Sequence, residues 1–175
     1  MRLKLPEKDA NSIYLSDHYP LLKSSSRVTK YSKYNYNVLL GVGGNVGDMV
    51  RRFEHLYFFL VQSPYLCIVE TSPILKNPPF GYYDQSDFYN ATIHIKTFLS
   101  PREILRYVLK VEKLFGRVRS FANAPRTLDI DIIFYENREI NREDLVLPHP
   151  HWSERDSVLI PLKKMKGIRW LKRHL

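Results

Sequence analysis

The chain has 175 residues, 44% hydrophobic and 26% charged, and a formal net charge of +9, as expected of one globular domain able to bury roughly 70% of its unfolded surface. Its single cysteine, Cys67, excludes an intrachain disulfide framework and a multi-cysteine zinc site, and its longest apolar run, Leu56 to Val61, is far short of the about 20 residues of a membrane span. The charge is segregated: seven basic and three acidic residues in 1–37, six basic and none acidic in 163–175, fourteen and fifteen in the body between. Basic arms around a near-neutral body read as solvated termini, with no nucleic-acid partner expected.

Residues 1–37 are polar, contain Ser24-Ser25-Ser26 and show no sustained period. They read as a partly ordered basic extension without the apolar core of a secretory signal, so a cytoplasmic location is expected. The body, 38–162, opens on the apolar strand Val38-Leu39-Leu40 and runs into the glycine-rich turn GVGGNVGD. Asp48 is placed to cap a helix whose positions Val50, Phe53, Leu56, Tyr57 and Leu60 have helical spacing, ended by Pro64. A β-rich stretch follows from Tyr65 to Ser72, then a long loop with Pro73, Pro78 and Pro79, then a strand from Phe88 to Phe98. Ser100, Pro101 and Glu103 occupy the N-cap, first and third positions of a second helix. Ile104, Leu105, Val108, Val111 and Leu114-Phe115 give that helix an apolar stripe, and Gly116 closes it. An arginine-bearing loop, 117–126, leads into a strand from Thr127 to Tyr135. The order β-α-β-β-α-β predicts a ferredoxin-like α+β sandwich with an antiparallel sheet, followed by a small C-terminal annex to residue 162. Residues 163–175 form a basic tail, in which Met165, Ile168, Trp170 and Leu171 could dock on the body as a short amphipathic helix.

The sharpest chemical signal is Thr-Leu-Asp129-Ile-Asp131-Ile-Ile-Phe. Two carboxylates one residue apart on a strand face the same side, with Cα atoms about 6–7 Å apart, while Leu128, Ile130 and Ile132 face the core. Asp is disfavoured in strands, so the pair suits oxygen-only ligation of Mg²⁺, which also draws ligands from bound phosphates. Arg117, Arg119 and Arg126 lie just upstream. Paired acids with nearby arginines make a phosphoryl-transfer set, in which the metal bridges phosphate oxygens and arginines neutralise developing charge. His149 and His151 lack a third metal ligand nearby, so His149 reads as a hydrogen-bonding partner of a nucleotide. Asn90 can read a heterocycle edge between Phe80 and Phe88 as apolar walls. The turn at Gly41 fails the dinucleotide fingerprint, because Val46 stands where its third glycine belongs. No P-loop motif occurs, so these glycines read as permitting a tight strand-to-helix connection. An RNA-binding reading of the same topology lacks its aromatic strand motif. A different metal-dependent nucleotidyl or phosphodiester enzyme is the other alternative.

Taken together, NPPFGYYDQSDFYNA, EKLFGRVR, APRTLDIDIIFY, LPHP and R-x-x-V-L-x-P-L resemble the 6-hydroxymethyl-7,8-dihydropterin pyrophosphokinase family over residues 38–162, as does GVGGNVGD. The resemblance implies transfer of an intact pyrophosphoryl group from ATP to the pterin hydroxymethyl oxygen, leaving AMP, a step of folate biosynthesis; no segment resembles a second folate enzyme, so a monofunctional chain is expected, and with it a monomer. It implies that Asp129 and Asp131 hold two Mg²⁺ ions, that Arg117 and Arg126 act on the phosphates, and that Arg119 lies on a mobile loop near ATP. It assigns Glu112, Ile132, His149 and Arg155 to the nucleotide and Asn77, Pro78, Phe80, Phe88 and Asn90 to the pterin. The chain departs from the family pattern in three places. Ser157 stands where an aromatic usually stacks on the pterin, with Phe80 as the candidate for the lost face. Asn123-Ala124 replaces a common Trp-Gly, with Phe121 as the candidate substitute. Phe88 replaces a frequent tyrosine.

Overall fold

A computed structural model describes residues 14–16, 33–79, 84–118 and 124–171. The first long strand, β2 (Tyr36–Gly44), starts two residues earlier than the apolar run suggested, and is preceded by a short strand β1 (Tyr14–Ser16). Helix α1 (Met49–Val61) begins where Asp48 accepts the Arg51 N–H at 3.1 Å and buries Met49, Phe53, Leu56, Tyr57 and Leu60. The expected β stretch is strand β3 (Leu66–Thr71). The expected proline-rich loop contains a four-residue strand, β4 (Ile74–Asn77), between Pro73 and Pro78. Strand β5 (Phe88–Thr97) precedes helix α2 (Pro101–Leu114), where Glu103 accepts both the N–H and the Oγ–H of Ser100. Leu114, counted in the apolar stripe, is 62% exposed, because the last turn rolls it off the buried face. Gly116 then takes φ +79°. Strand β6 (Asp129–Tyr135), the hairpin β7 (Ile140–Asn141) and β8 (Val146–Leu147), and helix α3 (Asp156–Lys163) complete the order.

All sheet pairings are antiparallel, in the spatial order β1-β4-β5-β2-β6 with β3 also on β5. This is the expected ferredoxin-like α+β arrangement. Period-two alternation divides the sheet into two faces. One carries Val38, Leu40, Val42, Ile93, Ile95, Ile130 and Ile132 against α1 and α2 in the main core. The other divides into two halves. Leu39, Ile133 and Phe134 are covered by Val158 and Leu162 of α3 and by Met165 and Leu171 beyond it. The remaining half bears polar residues and glycines, and it holds the site.

The segment expected as a basic tail is therefore packed as far as Leu171: Met165 and Leu171 are buried, and the Lys166 and Gly167 N–H groups bond the Glu70 carboxylate at 2.7 and 2.6 Å. Its basic side chains face outward while its apolar ones extend the second core.

Candidate functional site

Cross-strand register assembles the site. Gly43 of β2 is paired with Asn90 of β5 on one side and Asp129 of β6 on the other, and Gly41 with Thr92 and Asp131. Paired residues share a face, so Asn90, two glycines and two aspartates form one surface. Glycine at 43 lets the amide lie close: a Cβ there would stand 2.7 Å from Asn90 Oδ1 and force that side chain to shift. The aspartate side chains are 21% and 44% exposed, while Ile130 and Ile132 are buried on the helix side, as the alternation predicts.

Asp129 is held by two arginines. Arg126 Nη1 donates to its Oδ2 at 2.6 Å, and Arg117 Nη2 lies 3.3 Å from its Oδ1. Arg117 leaves the end of α2, so the C-terminus of that helix delivers it to β6. The Arg126 guanidinium also lies over the Phe88 ring, 5.0 Å from its centre, which joins the arginine side of the site to the expected pterin wall. Around this cluster several buried polar atoms have no hydrogen-bond partner among the described residues: Arg117 Nε and Nη1, Arg126 Nε, Thr127 Oγ1 and His149 Nδ1.

Asp131 faces His149, whose Nε2 is 3.9 Å from Oδ2. Burial, and then the charge of Asp129, push the Asp131 carboxyl above its ordinary range, and His149, Arg155 and Arg126 oppose the rise. His149 is fixed by its backbone N–H on the Ile133 carbonyl at 2.9 Å. His151 turns away and pairs with Glu154 at the surface, 3.0 Å apart, so the two histidines do not converge. Among the described residues no group of three His, Cys, Asp or Glu side chains gathers around a point.

Asn90 Nδ2 donates to Asn77 Oδ1 at 2.7 Å, and Asn77 Nδ2 donates to the Pro78 carbonyl at 2.8 Å. The two amides and the proline backbone therefore form one connected row beside buried Phe88. Glu112 is 2% exposed, and its Oε1 accepts the Ile130 N–H at 2.8 Å; it braces β6 one residue after Asp129. Ile132 has its side chain in the core, which leaves its backbone for any nucleotide contact. Phe80, Arg119, Phe121 and Asn123 lie outside the described residues.

Sequence reasoning passed over Asn45. Its side chain donates to Gln85 Oε1 at 2.9 Å and the Ser86 carbonyl at 3.0 Å, and accepts the Arg126 N–H at 2.9 Å. One amide thus joins the turn, the segment before β5 and the end of the arginine loop. Its signal was an amide set among glycines at a strand-to-helix turn.

Comparison with known proteins identifies the family. The family model described as 7,8-dihydro-6-hydroxymethylpterin-pyrophosphokinase matches residues 39–167. A Helicobacter pylori protein named 2-amino-4-hydroxy-6-hydroxymethyldihydropteridine pyrophosphokinase is 45% identical over 131 residues, 74% of this chain and 80% of the relative. Proteins of the same name from Campylobacter jejuni and Bacillus subtilis are 37% identical over 129 residues and 35% over 126, covering 74% and 72% of this chain and 82% and 75% of theirs. The chain belongs to the 7,8-dihydro-6-hydroxymethylpterin-pyrophosphokinase family and is a pyrophosphokinase of folate biosynthesis.

Proposed function

We propose that ATP lies with its phosphates over the Asp129–Asp131 end of the polar half-face and the pterin against the Asn77–Phe88–Asn90 end. The pyrophosphoryl group would then pass to the hydroxymethyl oxygen between them. The observation that carries this placement is the set of buried guanidinium donors beside Asp129 that have no acceptor among the described residues, Nε and Nη1 of Arg117 and Nε of Arg126. An unpaired buried donor costs about 1–3 kcal/mol, and more when charged. Phosphate oxygens are the acceptors that a planar arginine fork fits.

The donor chemistry fits Mg²⁺. Two carboxylates on one face offer only oxygens, and the proton affinity of Asp131, raised first by burial and then by the neighbouring Asp129 charge, is what a bound cation would offset. Asp129 and Asp131 would hold the metal, two ions being the expectation, and bound metal would supply charge neutralisation at the phosphate oxygens. Arg117 and Arg126 then exchange Asp129 for phosphate. They place negative charge on fixed donors, as a largely positional phosphoryl transfer requires. His149 and Arg155, on the Asp131 side, face the nucleotide. The Asn90 amide, oriented by Asn77, reads the heterocycle edge, and Phe88 supplies an apolar wall.

Incubation with ATP, Mg²⁺ and 6-hydroxymethyl-7,8-dihydropterin tests the reading, with nucleotides resolved by chromatography. AMP and pterin diphosphate in equal amounts are expected. ADP, or inorganic pyrophosphate with a nucleotidyl product, overturns it. The reading extends to a cytosolic monomer acting on small molecules without nucleic acid or membrane. The single free Cys67 suits a reducing compartment, and light scattering at 20.8 kDa checks the monomer.

A further inference from the structure

Gly44, Asn45 and Val46 of the glycine-rich turn have no part in the phosphate and pterin roles assigned so far, and neither does Arg52 of α1. Among the described residues, the backbone of Arg126 is bound by that turn alone. Its N–H donates to Asn45 Oδ1 at 2.9 Å, and its carbonyl accepts the N–H groups of Asn45 and Val46 at 2.9 and 3.3 Å. The two segments touch along their main chains: a Cβ on Gly44 would lie 2.8 Å from the Thr127 carbonyl oxygen and 3.1 Å from that of Arg126. Arg52 closes the arrangement from the helix. Its Nη1 donates both to the Val46 carbonyl and to the Thr127 carbonyl, the latter at 3.2 Å. One guanidinium thus bridges the turn and the residue that follows Arg126. Its other polar neighbour among the described residues is Met49 Sδ at 3.5 Å.

We propose that the turn, clasped by Arg52, is the seat that sets Arg126, and that Arg52 is a positioning residue for pyrophosphoryl transfer. The inference rests on the reading above that Arg126 acts on the phosphates. A guanidinium that must reach both Asp129 at 2.6 Å and a phosphate oxygen tolerates little drift of its backbone, since a displacement of about 1 Å at such a group costs about 10²-fold in rate. Removing Arg52 leaves the Val46 and Thr127 carbonyls without their shared donor and frees the segment that carries Arg126. The turn therefore acts on phosphate at one remove, through the arginine it seats, and Gly44 is needed because two backbones meet there.

The experiment is a double-mutant cycle of Arg52→Ala and Arg126→Ala on the full chain. It is read as kcat and KM from AMP release, with folded fraction followed by circular dichroism at the assay temperature. Arg52→Met, which keeps the apolar stem, replaces Arg52→Ala if the latter is not folded. Arg52→Ala is expected to lower kcat per folded molecule about tenfold while the pterin KM moves less than about twofold, and Arg52→Lys to recover part of the loss. In the Arg126→Ala background the same change is expected to have no further effect on kcat. Undiminished kcat in the folded Arg52 variant overturns the inference, and so does an equal fractional loss in both backgrounds. Wild-type kcat in Arg126→Ala alone overturns the underlying assignment of Arg126 instead.

Discussion

Replacing Gly43 by alanine tests how the sheet floor is built. Gly43 lies within β2, paired to Asn90 and Asp129, in extended backbone that alanine adopts readily, so the substitution tests space and not conformation. The new methyl would stand 2.7 Å from Asn90 Oδ1, where ordinary contact begins at 3.4 Å, so the amide must retreat by about 0.7 Å. Retreat breaks or bends its 2.7 Å bond to Asn77. Losing one such bond costs about 1 kcal/mol, and an off-rotamer side chain about as much again. A penalty of about 1–2 kcal/mol corresponds to roughly a 5- to 30-fold weaker hold on the pterin. The assay is steady-state AMP release with each substrate varied in turn. The pterin KM is expected to rise by that factor, and the ATP KM and the far-ultraviolet dichroism to stay put. An unchanged pterin KM, or a change confined to ATP, would refute the placement of Asn90 and its row of amides in the pterin pocket.

Asp129→Asn and Asp131→Asn are each expected to reduce Mg²⁺-dependent turnover at least about 10²-fold with dichroism unchanged; retained turnover counts against metal binding by this pair. Buried His94, tilted against Trp170, has its pKa lowered by desolvation from 6.5 to about 4. The unfolded chain therefore binds more protons between those values, and stability falls as pH drops from 6.5 towards 4, by about 3 kcal/mol in all. Urea midpoints across that range should show the fall and His94→Phe should flatten it; equal slopes in both proteins would contradict the cause. A chain ending at Lys163 loses the burial of Met165 and Leu171 and should be less stable by about 3–5 kcal/mol, whereas an unchanged melting temperature would return this segment to the status of a tail.

Local pattern revealed the chemistry better than the architecture that supports it. Asp129 and Asp131 stood out because a strand alternates strictly and two acids had displaced apolar residues on one face. The ferredoxin-like order followed from caps and punctuation at Asp48, Pro64, Ser100 and Gly116. What stayed hidden depends on pairing distant in sequence. Gly41 and Gly43 read as turn residues, because nothing local says that Asn90 and the aspartates flank them. Glu112 was assigned to the nucleotide by resemblance; its bracing of β6 stayed hidden because its partner, the Ile130 N–H, arrives 18 residues later. Strand β4 hid between prolines that usually mark a loop. In the last segment the docking of Met165 and Leu171 was legible in their spacing, but six basic residues left a solvated tail as an equal reading, and only the packing on Leu39, Ile133 and Phe134 decides between them.

The exchange of partners at Asp129 is tested most directly by a crystal structure with Mg²⁺ and α,β-methylene ATP, whose bridge resists the cleavage. The expected result has both carboxylates on magnesium at about 2.0–2.1 Å and the free N–H groups of Arg117 and Arg126 on phosphate oxygens. Magnesium bound elsewhere, with Asp129 still gripped by both arginines, would contradict it.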